Sequence, residues 1–395
     1  MYTNSELTMW ETLPRERHSQ MLDDEINAKY SSREWRIVTE TNREVLPNFV
    51  DALKRPGWME VRPFYQRRLR WDFERQSKLI ESFIMNIPIP PLFVFEADLA
   101  RYEVMDGQQR ITAIREFFSN NLRLEGLEQW PELNGRTYSK LPSEIRKGID
   151  RRSISYIVLL KESAETTEEQ VLLRQMVFER LNTGGVELSQ QEVRNCLFQG
   201  AFNDMLFRCS RSDDYRTAWK LPRFTSEEES NPPVSLLENP FYSKMTDVEN
   251  VVRFFALRHV DQYRRGMQGF IDLYMLKARK FSESDIQMLE KLFLDVIGLA
   301  RQIYDETTFC PWLTENNQWA DRPHRAFADA VMVSLSRHLA HRDRLIQHSE
   351  RIKVKTRELF ESHPSGTFTG RGNTKEDVRQ RIDKYETMIK AVLAE

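Results

Sequence analysis

Between Ile37 and Leu160 the apolar residues switch back and forth between helical spacing and short compact runs; beyond Leu160 they keep helical spacing almost throughout. Thr39–Leu53 reads as a short helix and Trp58–Pro63 as an extended stretch closed by a proline. Asp72 and Glu74 open the next predicted helix, in which Ile80, Phe83 and Ile84 share one face. Carboxylates suit that first turn because its unpaired amides carry partial positive charge. The run Ile87-Pro-Ile-Pro-Pro91 stops the helix, since proline lacks a donor and restricts the residue before it. Leu92–Glu96 and Tyr102–Met105 are apolar runs between turn residues, predicted as strands, and Ile111, Ile114, Phe117 and Phe118 return to helical spacing. Ser153–Leu160, rich in β-branched residues, is the third predicted strand.

Thr167–Leu181 then reads as a helix with acidic residues early, and Ser189 with Glu192 as a capping box for a helix that ends near Gly200. Residues 211–245 hold Pro222, Pro232, Pro233 and Pro240 plus the run Glu227–Glu229, which marks a linker or loop. From Asp247 to Glu395 the spacing predicts about five helices and no strand. The organisation expected is a polar N-terminal arm over 1–35, an α+β domain over 36–210 with a small mixed sheet and helices, the linker 211–245, and a mostly helical domain over 246–395.

Composition changes this picture little. The 395 residues hold 58 Lys plus Arg against 60 Asp plus Glu, so any nucleic-acid site has to be a local basic patch rather than a global excess. Cys196, Cys209 and Cys310 form no C-x-x-C pair and lie in or near apolar helical stretches, which argues against a disulfide framework or structural zinc and for a reducing, cytoplasmic setting. The polar start, Met1–Gln20, lacks the apolar stretch of a signal peptide, and no window is long and apolar enough for a membrane span.

Three segments concentrate chemistry. In Tyr102-Glu-Val-Met-Asp106-Gly107-Gln108-Gln109-Arg110-Ile-Thr112 a predicted strand runs through a glycine straight into a helix. Helix starts expose unpaired amides and attract anions; Gly107 allows close approach, Arg110 offers a bidentate fork for phosphate, Gln108 and Gln109 offer uncharged donors, and Asp106 is an acceptor for water, ribose or magnesium. The plain alternative is a strand–turn–helix junction with Asp106 as its cap. The second segment, Phe64-Tyr65-Gln66-Arg67-Arg68 with Arg62, Arg70 and Arg75, interleaves arginine with Tyr65 and Trp71. It suits phosphate contact with a base stacked on a ring, or else a solvated loop of paired charges. The third, Phe178-Glu-Arg180-Leu-Asn182-Thr183-Gly184-Gly185 running on to Ser189, Glu192, Arg194 and Asn195, ends one helix and starts another, with Arg180 and Arg194 flanking the turn. It is either a ligand-facing junction or a connector whose glycines only solve backbone geometry. The apolar Val193, Leu197 and Phe198 make its second helix look buried, unlike a DNA-reading helix. His338 and His341 share a helix face at i, i+3, but no third metal ligand is evident.

In this order the segments resemble the N-terminal domain family of GmrSD-type modification-dependent restriction systems, which is similar in fold to ParB and sulfiredoxin. The resemblance rests on D-G-Q-Q-R-x-T at Asp106–Thr112, Y-Q-R at Tyr65–Arg67 with P-I-P-P at Pro88–Pro91, and F-x-R-L-N-T-G-G continuing to E-x-R-N at Phe178–Asn195. The tail Phe368-Thr-Gly-Arg-Gly-Asn373, with Val378 and Arg381, looks like a common ending of such proteins. The resemblance implies that Asp106–Arg110 bind or hydrolyse a nucleoside triphosphate with Mg2+, with Asp106 on the metal or the attacking water. Thr112, Tyr65, Gln66, Arg67, Arg180, Asn182, Thr183, Gly184, Arg194 and Asn195 would complete the nucleotide site. It also implies a role in prokaryotic defence against foreign DNA. The chain departs from multi-domain relatives in lacking an HNH pattern among its histidines. Three functions therefore stay open: an NTP-hydrolysing regulator, a non-hydrolysing DNA or nucleotide sensor that recruits a separate nuclease subunit, and a ParB-like nuclease.

Overall fold

The computed structural model describes residues 2–11, 23–24, 26–27, 37–61, 71–160, 170, 173–174, 176–178, 180, 189–230, 232–363, 366–370 and 372–394. The chain divides into two compact units, Arg17–Leu188 on one hand and Met1–Glu16 with Ser189–Glu395 on the other.

Unit Arg17–Leu188 is α+β. Its five strands are β1 (Thr39–Val45), β2 (Met59–Glu60), β3 (Leu92–Asp98), β4 (Arg101–Asp106) and β5 (Ser153–Leu159), ordered β1-β5-β3-β4-β2. The sheet is mixed: β1–β5 and β3–β4 run antiparallel, β5–β3 and β4–β2 parallel. The helices are α2 (Leu46–Leu53), α3 (Phe73–Ile84), α4 (Gln108–Phe118) and α5 (Ser143–Asp150). The helix predicted over Thr39–Leu53 is instead a strand followed by a helix. Thr39–Val45 pairs along its length with β5, and Pro47 at the start of α2, where its missing donor is harmless, marks the change. The three strands expected between Leu92 and Leu160 and the helix opened by Asp72 are present, with Asp72 Oδ1 accepting from the Arg75 amide at 2.7 Å. The core joins sheet and helices through Leu92, Val94, Val104, Ile154 and Val158 with Phe49, Ile80, Phe83, Ile111, Ile114 and Phe117.

The other unit is helical: α1 (Asn4–Thr8), α6 (Gln190–Leu197), α7 (Ala201–Arg211), α8 (Asp213–Ala218), α9 (Thr246–Leu257), α10 (Gly266–Ala278), α11 (Glu283–Tyr304), α12 (Arg325–Arg337), α13 (Ser349–Ser362) and α14 (Lys375–Ala394). Residues 211–245, expected as a linker, belong to this unit and hold α8 and the turns Glu227–Ser230, Val234–Leu237 and Pro240–Ser243. The acidic run is explained by a buried pair: Glu228 takes both Arg216 Nη atoms at 2.8 and 2.6 Å. Beyond α9 there is also a two-residue hairpin, Trp312–Leu313 with Gln318–Trp319, too short to leave a period in the sequence.

Residues Tyr2–Trp10, expected as part of a polar N-terminal arm, pack into the helical unit. Glu6 is 1% exposed. It accepts from Arg258 Nη1 at 2.7 Å, the Thr3 amide at 2.9 Å and Tyr274 Oη at 3.3 Å, and its Oε1 lies 3.0 Å from His259 Nε2. His259 Nδ1 accepts the Trp10 indole N–H at 3.0 Å, so the neutral ring carries its proton on Nε2 toward Glu6. Burial holds His259 below its ordinary 6.5, against the pull of Glu6. For Glu6, burial pushes the carboxyl up, but the His259 hydrogen bond and the Arg258 charge outweigh it and hold the group below its ordinary 4.5. With both folded values depressed, the unfolded chain takes up protons first as pH falls, so stability present above pH 6.5 is lost on acidification through His259 and then Glu6. The thermal midpoint is expected to drop between pH 7 and 5 and to drop less in His259→Gln; a flat profile in the wild-type chain would refute this coupling.

Candidate functional site

β4 leaves the sheet at Asp106, and the backbone turns at Gly107 with φ 97° and ψ 11°, a region that favours glycine. A Cβ at Gly107 would stand 2.3 Å from Leu92 Cδ2, whose side chain is buried in the core. α4 follows at once, with Gly107 itself as N-cap and no side-chain cap, so the alternative of Asp106 as the cap does not hold. The first amide to bond within the helix is that of Ile111, to Gly107 O at 2.9 Å; those before it have no intrahelical acceptor.

The Asp106 carboxylate turns to Arg110 instead, with Oδ2 2.6 Å from Nη2. Arg110 also donates from Nη1 to the carbonyls of Pro90 and of Pro91, the latter at 3.2 Å. Its side chain is 12% exposed while that of Asp106 is 48% exposed. Burial draws the guanidinium below its ordinary value, and the Asp106 charge opposes this; arginine stays charged regardless. In this conformation Arg110 is thus a clamp joining Asp-Gly-Gln-Gln-Arg to Pro-Ile-Pro-Pro, rather than a fork held out to ligand. Lysine lacks the fork and its planar geometry, so Arg110→Lys is expected to cost roughly 1.5–3 kcal/mol, the range for hydrogen bonds to charged groups, read from urea unfolding. A change below about 0.5 kcal/mol, the scatter of surface substitutions, would contradict the clamp.

Gln109 makes a second link. Its Oε1 accepts the Trp71 amide at 3.1 Å, and Gln76 Nε2 donates to the Trp71 carbonyl at 3.0 Å. Trp71 belongs to the arginine-rich segment, and Arg75 of the same segment stands over its ring at 5.6 Å. Tyr65, Gln66 and Arg67 lie outside the described residues, as do Asn182, Thr183 and Gly184. Thr112 is half-buried on α4, one turn on from Gln108. On β4, Glu103 forms an ion pair with Arg174, whose guanidinium stacks 4.4 Å over Phe95. Arg180 is exposed.

Arg194 and Asn195 sit on α6 in the helical unit. Arg194 is 1% exposed and bonds Asp272 at 2.6 Å and Glu249 at 3.0 Å. Asn195 is buried and engages Gln191 at 3.0 Å and Met245 Sδ. Within this unit both do structural work, fixing α6 to α9 and α10. Val193, Leu197 and Phe198 are buried, as the sequence pattern predicts, and the capping box is present: the Glu192 amide donates to Ser189 Oγ and Glu192 Oε2 accepts from the Ser189 amide. Sequence reasoning did not find Leu92, Arg174 or Trp71 as partners of the motif, although the joint presence of Pro-Ile-Pro-Pro and Asp-Gly-Gln-Gln-Arg was a signal that the two meet.

Among the described residues no three His, Cys, Asp or Glu side chains gather as a metal cage, the His338–His341 pair included. A magnesium ion carried in on a triphosphate needs fewer protein ligands, since it is commonly held by one or two carboxylates plus phosphate oxygens and water. Asp106, half exposed with one oxygen beyond the Arg110 bond, fits that requirement. No helix among the described residues is long and apolar enough to cross a membrane.

Comparison with known proteins gives one family match: residues 50–199 match the GmrSD restriction endonuclease, N-terminal domain. No curated protein and no solved structure matches the chain.

Proposed function

We propose, from the premise that residues 50–199 are a GmrSD-type restriction endonuclease N-terminal domain, that the Asp106 turn binds and hydrolyses a nucleoside triphosphate. The family ties the chain to restriction-like defence against phage. The observation that carries the finer reading is convergence: Arg110 and Gln109 draw Pro90, Pro91 and Trp71 onto the helix start that Gly107 caps without a side chain.

In this reading the phosphate oxygens sit at the N-terminal end of α4, where the helix dipole favours an anion. Gly107 serves that site through its backbone, holding φ at 97° beside the buried Leu92 and so setting where α4 starts. Asp106 orients the attacking water or holds the magnesium ion, which when bound neutralises charge on the β- and γ-phosphates. Arg110 is a positioning residue that fixes Asp106 relative to α4. The family resemblance assigns contacts to base or phosphate to Tyr65, Gln66 and Arg67, and Arg180 adds a second positive charge.

The test is phosphate release from ATP, GTP, CTP and UTP with magnesium, using purified protein with and without DNA. Asp106→Ala is expected to lower turnover at least about 10²-fold, the scale for losing one group preorganised around transition-state charge. Nucleotide binding with no release would support the sensing form of this reading, in which the signal passes to a partner nuclease. Neither release nor binding at millimolar nucleotide would overturn it.

A further inference from the structure

The α+β unit gathers a second set of side chains that the reading above does not use. Trp58, just before β2, meets Tyr102 of β4 at 6.2 Å and 87° and Tyr156 of β5 at 6.4 Å and 90°. The two tyrosine rings stand 6.3 Å apart at 60°. Phe49 of α2 backs the group, 5.9 Å from Trp58 and 6.4 Å from Tyr156. Phe49 and Tyr156 are buried, whereas Trp58 and Tyr102 are half-buried, so the group reaches the surface. A cation held ~4.5 Å over each of three mutually perpendicular rings, inside the ~6 Å reach of the attraction, sets the ring centres ~6.4 Å apart. Plain edge-to-face packing shares that spacing, so the charge around the rings has to separate the two.

That charge is negative. Glu96 lies opposite Tyr102 in the β3–β4 ladder, and Glu40 and Glu44 flank Asn42, which lies opposite Tyr156 in the β1–β5 ladder. Burial raises the Tyr102 hydroxyl above its ordinary 10.0, and the charges that raise it further are Glu96, Glu40 and Glu44, all carboxylates. Burial pushes Tyr156 up to about 12, with the Glu44 charge as the next cause. Glu96 accepts the Ala100 amide at 3.2 Å, and among the described residues none of the three carboxylates is in an ion pair. An aromatic cluster that only fills a core gains nothing from three carboxylates beside it, since they repel one another and the ring faces are themselves negative. A cation on those faces is attracted by rings and carboxylates alike.

We infer that Trp58, Tyr102 and Tyr156 form a cage for an alkylated ammonium group, with Glu40, Glu44 and Glu96 meeting its charge. Such a group is bulky and carries its charge behind methyl groups, so it gives up water for ring faces more readily than a bare ammonium does. The carboxylates select against carriers that also bear an anion. The cage shares no residue with the α4 helix start and takes a ligand of opposite charge.

The experiment is calorimetric titration of the full chain with tetramethylammonium, choline and a short peptide bearing trimethyllysine. Dimethylbutanol, the neutral carbon isostere of choline, is the control. At least one of the three cations is expected to bind with a millimolar or lower Kd, and the isostere about tenfold more weakly than choline or not at all. Choline ahead of the peptide would identify a small-molecule ligand, and the peptide ahead of choline a modified protein tail; both agree with the cage. Trp58→Leu keeps apolar bulk and removes the ring face that binds cations best, so it should weaken binding about tenfold. Glu44→Gln keeps shape and loses charge, and should weaken it as well. If Trp58→Leu proves unstable, Tyr102→Leu, at the half-buried side of the cage, must show the same loss. No binding of any of the three cations at millimolar concentration would overturn the inference and leave the rings as core. So would equal binding of choline and its isostere, or cation binding that survives both a ring variant and Glu44→Gln.

Discussion

Asp329→Ala is expected to destabilise the helical unit by about 3–5 kcal/mol, the range for breaking a buried ion pair from one side. Asp329 is 6% exposed, and its two oxygens take Arg253 Nε at 2.8 Å, Arg253 Nη2 at 2.6 Å and Arg381 Nη1 at 3.3 Å. Arg253 and Arg381 are each almost fully buried. Removing the carboxylate leaves two guanidiniums in the interior with no anion between them, and the remaining bonds, from Arg253 to Asn373 Oδ1 at 3.1 Å and from Arg381 to the Gly372 carbonyl and, at 3.4 Å, the Asp377 carbonyl, are to neutral groups. Asp329→Asn keeps the shape and part of the hydrogen bonding and should cost less than alanine. Urea unfolding of the three proteins checks the order; an alanine variant within about 0.5 kcal/mol of wild type, the scatter of surface substitutions, would show that the charges are not confined as described. The same contacts explain the tail motif: Asn373, Arg381 and the buried Phe368 tie the final segment to α9 and α12.

Gly107→Ala is expected to cost about 2–5 kcal/mol in the α+β unit and to abolish nucleotide turnover. Two separate costs add. An L residue at φ 97° is strained by roughly 1–2 kcal/mol or more. The new methyl also meets Leu92 Cδ2 at 2.3 Å, and overpacking a buried side chain costs typically 1–3 kcal/mol. Leu92 has little freedom to retreat, being 0% exposed on β3, between β4 and β5. A double-mutant cycle separates the costs, since Leu92→Val shortens the side chain that is struck and should relieve the packing cost while leaving the backbone strain. Additive effects across the cycle would mean that no clash exists, and a Gly107→Ala protein of wild-type stability would remove the basis for a glycine-only turn.

Much of the α+β unit was legible before any coordinates because its signals are local. Three compact apolar runs, the proline stop at Pro88–Pro91 and the helical spacing from Ile111 to Phe118 each report on a few adjacent residues, and the strands and helices stand there. Thr39–Val45 misled because a strand at a sheet edge buries little and so shows no clear period of two; only its pairing with β5 reveals it. The Asp106 turn was marked by composition, a glycine between an acid and a helix rich in donors. What composition could not give was the direction of each side chain. Arg110 has the chemistry of a phosphate ligand, yet its partners Pro90 and Pro91 lie 20 and 19 residues away, and no local pattern encodes that meeting.

By itself, then, the order of residues determined the strands between Leu92 and Leu160, the helices opened by Asp72 and Gly107 and the helical character of the rest, because backbone propensity and capping act within a few residues, while the strand Thr39–Val45 and the helix Ser143–Asp150 escaped it. Tertiary structure decided that Asp106 pairs with Arg110, that Arg194 and Asn195 serve the interior of the helical unit, and that Glu6 packs into that unit too. Each of those outcomes depends on which distant groups share a low-dielectric interior, where a charge or amide must find a partner or pay in stability, and that is settled only when the chain has folded.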